Sequence, residues 1–303
     1  MLYCHCARAE LISREARAAA LEVLSERGEP FLALPDLCAS AAARSPLLRA
    51  AGARAIACYP RAVRWFLERG GASPPPGFAA VGLREREPGS VAAELCAWLE
   101  PSVSGAPDAS AEPEGLEILA RLRLRSSGAA ARDAGALAAR LLDRGFAVAA
   151  GARSEAGAVE IAVGLEVRSR EGSAGPDWVP WYPVIDYDRC ANCGQCLDFC
   201  LFGVYDRSAD GRVEVRRPEN CKTYCPACAR VCPELAIIFP RYEAGPIAGG
   251  EVREGDREAL RVDLGSLAAR DVYAALKARA GGKRFSLELP IAEAGGGRGG
   301  GGA

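Results

Sequence analysis

The chain has 303 residues, enough for two or three compact domains, and its 50% hydrophobic and 25% charged content is that of an ordinary globular protein. A formal net charge of −1 with no basic stretch argues against a nucleic-acid partner. No run approaches the roughly 20 apolar residues of a spanning helix. The opening Met1-Leu2-Tyr3-Cys4-His5-Cys6 has neither the charged nor the apolar region of a signal peptide. Membrane insertion is therefore not expected, and a cytoplasmic location is. Thirteen cysteines stand out. In a reducing compartment they point to metal ligands before disulfides, and an odd number suits pairing badly.

Residues 1–72 read as a small α/β domain. Met1–Cys6, Pro30–Leu34 and Ala53–Cys58 are short apolar strand segments. Between and after them, Ser13–Arg27, Ala39–Ala51 and Arg61–Arg69 are helix-forming, with Ser13 as an N-cap and Gly28, Gly52 and Gly70 as stops. The βαβαβα order predicts a parallel sheet with helical crossovers. Residues 73–114 open on the breaker Ser73-Pro74-Pro75-Pro76-Gly77 and read as a linker with a helix at about Ser90–Leu99. Residues 115–176 suggest a strand, a helix at Ala129–Arg144 and strands at Phe146–Ala150 and Ala158–Val167. That βαββ segment carries no Cys or His and suggests no chemistry of its own. Residues 177–245 are Cys-rich. Residues 246–303 form an extension, with a strand at Leu260–Leu264, a helix at Ser266–Arg279 and a Gly-rich tail expected to be disordered. The fold class is a multidomain mixture of α/β and α+β.

Two cysteine runs carry the chemistry. Cys190, Cys193, Cys196 and Cys200 have C-x2-C-x2-C-x3-C spacing. Cys221, Cys225, Cys228 and Cys232-Pro233 have C-x3-C-x2-C-x3-C-P spacing. Each run resembles the motif of bacterial two-cluster [4Fe–4S] ferredoxins. That resemblance implies three ligands to one cubane from each run, with the fourth Cys reaching the other cluster. One cluster then takes Cys190, Cys193, Cys196 and Cys232, and the second takes Cys221, Cys225, Cys228 and Cys200. Flanking strands at Val184-Ile185-Asp186 and Ala236–Phe239, and a hairpin turning at Ala209-Asp210-Gly211, suit a ferredoxin-like domain. Two departures are visible: Leu201 follows Cys200 where the family usually has Pro, and one extra residue separates Cys221 from Cys225. A zinc site, the alternative, prefers two C-x2-C knuckles and fits the eight-cysteine pattern less well.

Cys4, Cys6, Cys38, Cys58 and Cys96 remain. The first four fall at the carboxyl ends of the three strands expected in residues 1–72, where parallel sheets place their ligands. Cys4-His5-Cys6 and Ala57-Cys58-Tyr59-Pro60-Arg61 resemble motifs in the N-terminal domain of the flavin-bearing A subunit of heterodisulfide reductases. The resemblance implies that Cys4, Cys6, Cys38 and Cys58 hold a third [4Fe–4S] cluster. Buried cysteines acting as small hydrophobes, a reactive thiol pair and a zinc site stay open as alternatives. His5, the single His, is expected to point away from these sulfurs, and Cys96 to be core.

No G-x-G-x-x-G or Walker A motif is found, and one His leaves no Ser/His/Asp set. The chain is therefore not expected to be an enzyme by itself. It is expected to carry electrons, as a ferredoxin-like carrier or an electron-input subunit, between redox proteins such as a flavoprotein or a multisubunit reductase. The alternative function is a redox sensor or scaffold with an exposed, oxidant-sensitive N-terminal cluster.

Overall fold

A computed structural model describes residues 1–8, 11–99, 113–114, 116–125, 129–151, 158–166 and 180–260. Strand β1 (Leu2–Cys4) and helix α1 (Arg14–Arg27) come first. Ser13 caps α1 by accepting from the Ala16 amide at 3.1 Å, and Gly28 ends it in the left-handed conformation at φ 68°. Strand β2 (Phe31–Leu34) leads into α2 (Leu37–Ala42), which Asp36 caps through the Ala39 amide at 3.1 Å. The single helix expected over 39–51 is two pieces, α2 and a 3-10 segment Pro46–Ala51. Pro46 lacks the amide that would continue α2 and pushes Ser45 out of helical space. Strand β3 (Arg54–Ala57) and helix α3 (Pro60–Arg69), with proline in its first turn, complete the expected pattern.

Beyond residue 72 the elements are β4 (Ala79–Gly82), α4 (Pro88–Trp98), β5 (Leu116–Arg125), α5 (Ala129–Asp143), β6 (Ala147–Ala150) and β7 (Ala158–Glu166). All seven strands form one sheet in the order β4-β3-β1-β2-β6-β7-β5. Strands β4, β3, β1 and β2 run parallel, and β6, β7 and β5 add antiparallel pairs. The expected boundaries near residues 72 and 115 therefore do not separate sheets. A three-stranded sheet would leave the edges of β2 and β3 open, and β6 and β4 cover them. The expected elements at 260–264 and 266–279 and the Gly-rich tail extend past the described residues.

The chain passes from β1 to β2 on one side, then back past β1 to β3 on the other. Right-handed crossovers then put α1 and α2 on opposite faces. Accordingly, α1 packs with α4 and α5, and α2 packs with α3. The reversal makes the carboxyl end of β1 a topological switch point.

The Cys-rich segment has two small antiparallel sheets. Strand β8 (Val184–Ile185) pairs with β11 (Ile237–Ile238), and β9 (Tyr205–Arg207) pairs with β10 (Val213–Val215). Short helices α6 (Gln195–Phe199) and α7 (Ala227–Val231) follow the two cysteine loops. The described residues belong to one compact unit. Tyr182 is buried against Phe66, with ring centroids 5.8 Å apart in an edge-on contact. Its hydroxyl donates to the Cys38 carbonyl at 2.8 Å. Trp65 meets Tyr187 edge-on at 5.6 Å.

Arg61 makes the central polar tie. Its Nε donates to Asp186 Oδ2 at 2.7 Å, Nη1 to the carbonyls of Pro246 and Gly250, and Nη2 to that of Leu235. The two side chains of the pair are 16% and 4% exposed. Gly249 closes the contact at φ 106°, where a Cβ would come within 2.8 Å of the Ala62 Cβ. Arg61→Ala leaves a buried carboxylate unpaired, so a loss of about 3–5 kcal/mol in denaturant-unfolding stability is expected. Arg61→Lys, which keeps the charge without the planar fork, is expected to lose less.

Candidate metal centres

The first cysteine loop is shaped by left-handed residues, Asn192 at φ 53° and Gly194 at φ 80°. The Cys190 amide donates to the Asp186 carbonyl at 3.0 Å, and the Asn192 amide donates to Cys190 Sγ at 3.4 Å. The Asn192 side chain ties the loop to the β9–β10 hairpin through the Val213 amide and the Gly211 carbonyl. Cys196 is buried on α6, and Cys193 is exposed. In the second loop Tyr224 takes φ 62°, and the Cys225 amide donates to the Lys222 carbonyl at 3.1 Å. The extra residue of the second run is thus absorbed in a tight turn. Cys228 is buried on α7, and the Tyr205 hydroxyl donates to its Sγ at 3.1 Å. The Ala236 amide donates to Cys232 Sγ at 3.3 Å.

Electrostatic neighbours link the sulfurs within and between the two runs, Cys196 acting also on Cys228. Burial first, then Cys232, Cys190 and Cys193, push the Cys196 thiol up to about 12. The Cys190 thiol is raised by burial first and then by Cys232 and Cys193. Cys221 is pushed up to about 12 by burial, Cys225 and Cys200. Cys228 is also raised, by burial first, with Cys221 and Cys200 adding to it against the Tyr205 hydrogen bond. Cys232 thus acts on Cys190 and Cys196 of the first run, and Cys200 on Cys221 and Cys228 of the second. Leu201 and Phe202, just past Cys200, are exposed.

Cys4, Cys6, Cys38 and Cys58 are all buried at the carboxyl edge of the parallel strands. Cys4 ends β1, Cys6 follows at φ 55°, Cys38 lies in the first turn of α2, and Cys58 follows β3. Electrostatic influence runs between several of them, from Cys6 and Cys58 to Cys4, from Cys58 to Cys6, and from Cys58 and Cys4 to Cys38. Burial raises Cys4 and Cys38 well above the usual thiol range, with the charges of Cys6, Asp36 and Cys58 adding at Cys4 and those of Asp36, Cys58 and Cys4 at Cys38. Burial, Asp36 and Cys58 push Cys6 up to about 12. Backbone amides oppose this: Leu37 N lies 3.3 Å from Cys4 Sγ, and the amides of Leu11 and Tyr59 bond Cys6 and Cys58. Gly82 admits the turn after β3, since a Cβ there would sit 3.0 Å from the Cys58 carbonyl and 2.9 Å from Pro60. His5 points the other way. Its Nδ1 is 3.1 Å from Tyr3 Oη and its Nε2 is 3.1 Å from Asp143 Oδ1. Burial and then Arg17 lower its pKa to about 4. Cys96 sits half-buried on α4, away from this edge.

Among the described residues, no three His, Cys, Asp or Glu side chains close round one point as a single ion requires. A tetrahedral zinc needs its sulfurs about 3.8 Å apart, from bonds of about 2.3 Å. A cubane takes each thiolate on a different iron and so accepts a wider set. The donor chemistry fits such a group: thiols, preset N–H···S bonds and loops whose amides turn inward.

A family model described as a 4Fe-4S dicluster domain matches residues 182–233. Ferredoxin-3 of Nostoc sp. is 36% identical over 78 residues, covering 20% of this chain and 79% of that protein. The chain belongs to the 4Fe–4S dicluster ferredoxins. An uncharacterized ferredoxin of Methanocaldococcus jannaschii is 51% identical over 63 residues, 20% of this chain, and the match spans 42% of that relative's length. Pyruvate synthase subunit PorD of the same organism is 28% identical over 80 residues, 26% of this chain and 86% of the subunit. No solved structure matches the chain. The ferredoxin segment binds [4Fe–4S] clusters, and no helix among the described residues is long and apolar enough to cross a membrane.

Asp36, Arg84, Tyr182, Tyr205 and Arg241 act on these sulfurs or hold the backbone beside them and carry no motif that marks them in the sequence, whereas Arg61 closes the Ala57–Arg61 motif. Tyr205→Phe removes a hydrogen bond to Cys228 Sγ that favours the more negative, reduced state. One couple of the ferredoxin segment is expected to fall in potential with iron content unchanged, read by redox titration followed by EPR.

Proposed function

We propose that this chain is an iron–sulfur electron-transfer protein, acting as a carrier or as the electron-input subunit of a redox complex. The observation that supports the reading is the packing of α6 on α7, which end on Cys200 and Cys232, together with the electrostatic influence of Cys232 on Cys190 and Cys196 and of Cys200 on Cys221 and Cys228. In this reading Cys190, Cys193, Cys196 and Cys232 hold one [4Fe–4S] cluster and Cys221, Cys225, Cys228 and Cys200 the other. Cys4, Cys6, Cys38 and Cys58 hold a third. When bound, a cubane supplies a reversible one-electron couple.

The chain's own residues make that couple usable. Amides of Asn192 and Ala236 and the Tyr205 hydroxyl point at ligand sulfurs and stabilise added negative charge. Burial of Cys196, Cys228 and Cys232 excludes water from the cubane faces. Exposed Cys193, and Leu201 and Phe202 beside Cys200, leave one edge of each cysteine set near solvent, where a partner can approach.

The relatives named as pyruvate synthase subunits favour a place in a multisubunit oxidoreductase. A flavoprotein is the partner class proposed for the chain, because it carries no nucleotide-binding loop in its sequence. The sensor alternative required an exposed N-terminal cluster, and the four N-terminal sulfurs are buried. The full chain, purified anaerobically, is expected to show reversible one-electron reduction by EPR. The reduced form should be reoxidised by an added flavodoxin with no loss of iron. Iron loss in the first reduction and reoxidation cycle would overturn the electron-transfer reading and leave the clusters structural.

A further inference from the structure

The ferredoxin segment sends one side chain to the carboxylate that caps the helix bearing Cys38. Arg241, just after β11, places Nη2 at 2.9 Å from Asp36 Oδ2. The two side chains are 11% and 4% exposed. The other oxygen of Asp36 caps α2 through the Ala39 amide, so the carboxylate is fixed two residues before Cys38. Arg84 holds the strap that delivers Arg241. Its guanidinium donates to the carbonyls of Pro240, Tyr242 and Glu243, on both sides of Arg241. It also stacks 5.1 Å from the ring of Tyr59, next to Cys58.

Asp36 acts unfavourably on thiolates at Cys4, Cys6, Cys38 and Cys58. Arg241 acts favourably at Cys6 and Cys38, and Arg84 at Cys58. Arg241 Nε is a buried donor without a hydrogen-bond partner. A buried guanidinium N–H left unpaired is costly. Asp36 engages only the terminal nitrogen. Neighbouring thiolate or sulfide acceptors would satisfy the Nε–H. A four-thiolate cubane is anionic and becomes more so on reduction, so a buried one needs a cation beside it.

We propose that Arg241, supplied by the ferredoxin segment, is the counter-ion of the N-terminal four-cysteine site and sets how readily that site accepts an electron, with Asp36 as the opposing charge that positions it. The proposal rests on the reading that Cys4, Cys6, Cys38 and Cys58 hold a [4Fe–4S] cluster. Arg241 is a positioning and charge-setting residue, not a ligand. Reduction adds negative charge, so a nearby cation raises the potential and a nearby carboxylate lowers it.

The test is an EPR-monitored redox titration of the full-length, anaerobically purified chain, with iron counted in each sample. The N-terminal couple is the one missing from Cys38→Ala. Arg241→Gln is expected to shift that couple to lower potential, Arg241→Lys to leave it near the wild-type value, and Asp36→Asn to raise it. The ferredoxin couples should stay in place. Loss of the N-terminal iron in Arg241→Gln but not in Arg241→Lys also supports the counter-ion role. An unshifted couple in Arg241→Gln, or equal loss of iron in both Arg241 variants, would overturn it while leaving the cluster intact as a reading. A wild-type chain with no couple that depends on Cys38 would remove the cluster reading, and the proposal with it.

Discussion

The Arg61–Asp186 ion pair fixes the relation between the two cysteine-bearing parts of the chain. Arg61 stands three residues after Cys58, and Asp186 stands four residues before Cys190, whose amide donates to the Asp186 carbonyl. The same guanidinium holds the Leu235 carbonyl, and the neighbouring Ala236 amide points at Cys232 Sγ. One side chain thus ties the turn after β3 to both ends of the first ferredoxin site. An ion pair this buried contributes little net stability against a hydrophobic replacement, but it tolerates no loss of one partner. Its consequence is geometric: the ferredoxin segment cannot drift from the sheet without stranding Asp186 and three carbonyls.

The second constraint is the chemistry of buried sulfur. Burial raises thiol pKa values at both sites and disfavours the thiolate. A metal beside the sulfur reverses that preference, and metal binding then couples to folding. Backbone amides and the Tyr205 hydroxyl are already aimed at the sulfurs, so the polypeptide is organised for thiolates at positions where thiols would be comfortable only as hydrophobes. Within the N-terminal site this preference is reinforced by cations that arrive from elsewhere in the chain.

Local order was legible in the sequence. The Ser13 cap, the Gly28 stop, the first three strands, the βαββ segment and the pairing of β8 with β11 all follow from residue patterns of short range. The cysteine spacing identified the ferredoxin segment for the same reason. Long-range placement was not legible. Strand β4 follows a proline-rich breaker and reads as linker, yet it seals the edge of β3. The pairing of β2 with β6 joins residues more than a hundred positions apart, and nothing local marks it. Arg84 and Arg241 look like any surface arginine in a sequence where nearly every cation is Arg, and the motif that ends on Arg61 does not say what its guanidinium holds. Only the fold gives them buried partners. The shared edge of the N-terminal cysteines could be read because a parallel sheet brings its carboxyl ends to one edge whatever the residues between them.

Iron and acid-labile sulfide per chain, counted on the anaerobically purified full-length protein, test the account most directly. With cubanes in the ferredoxin segment and at Cys4, Cys6, Cys38 and Cys58, about twelve of each are expected. About eight would leave the N-terminal site without a cluster, and zinc in place of iron would contradict the electron-transfer account as a whole.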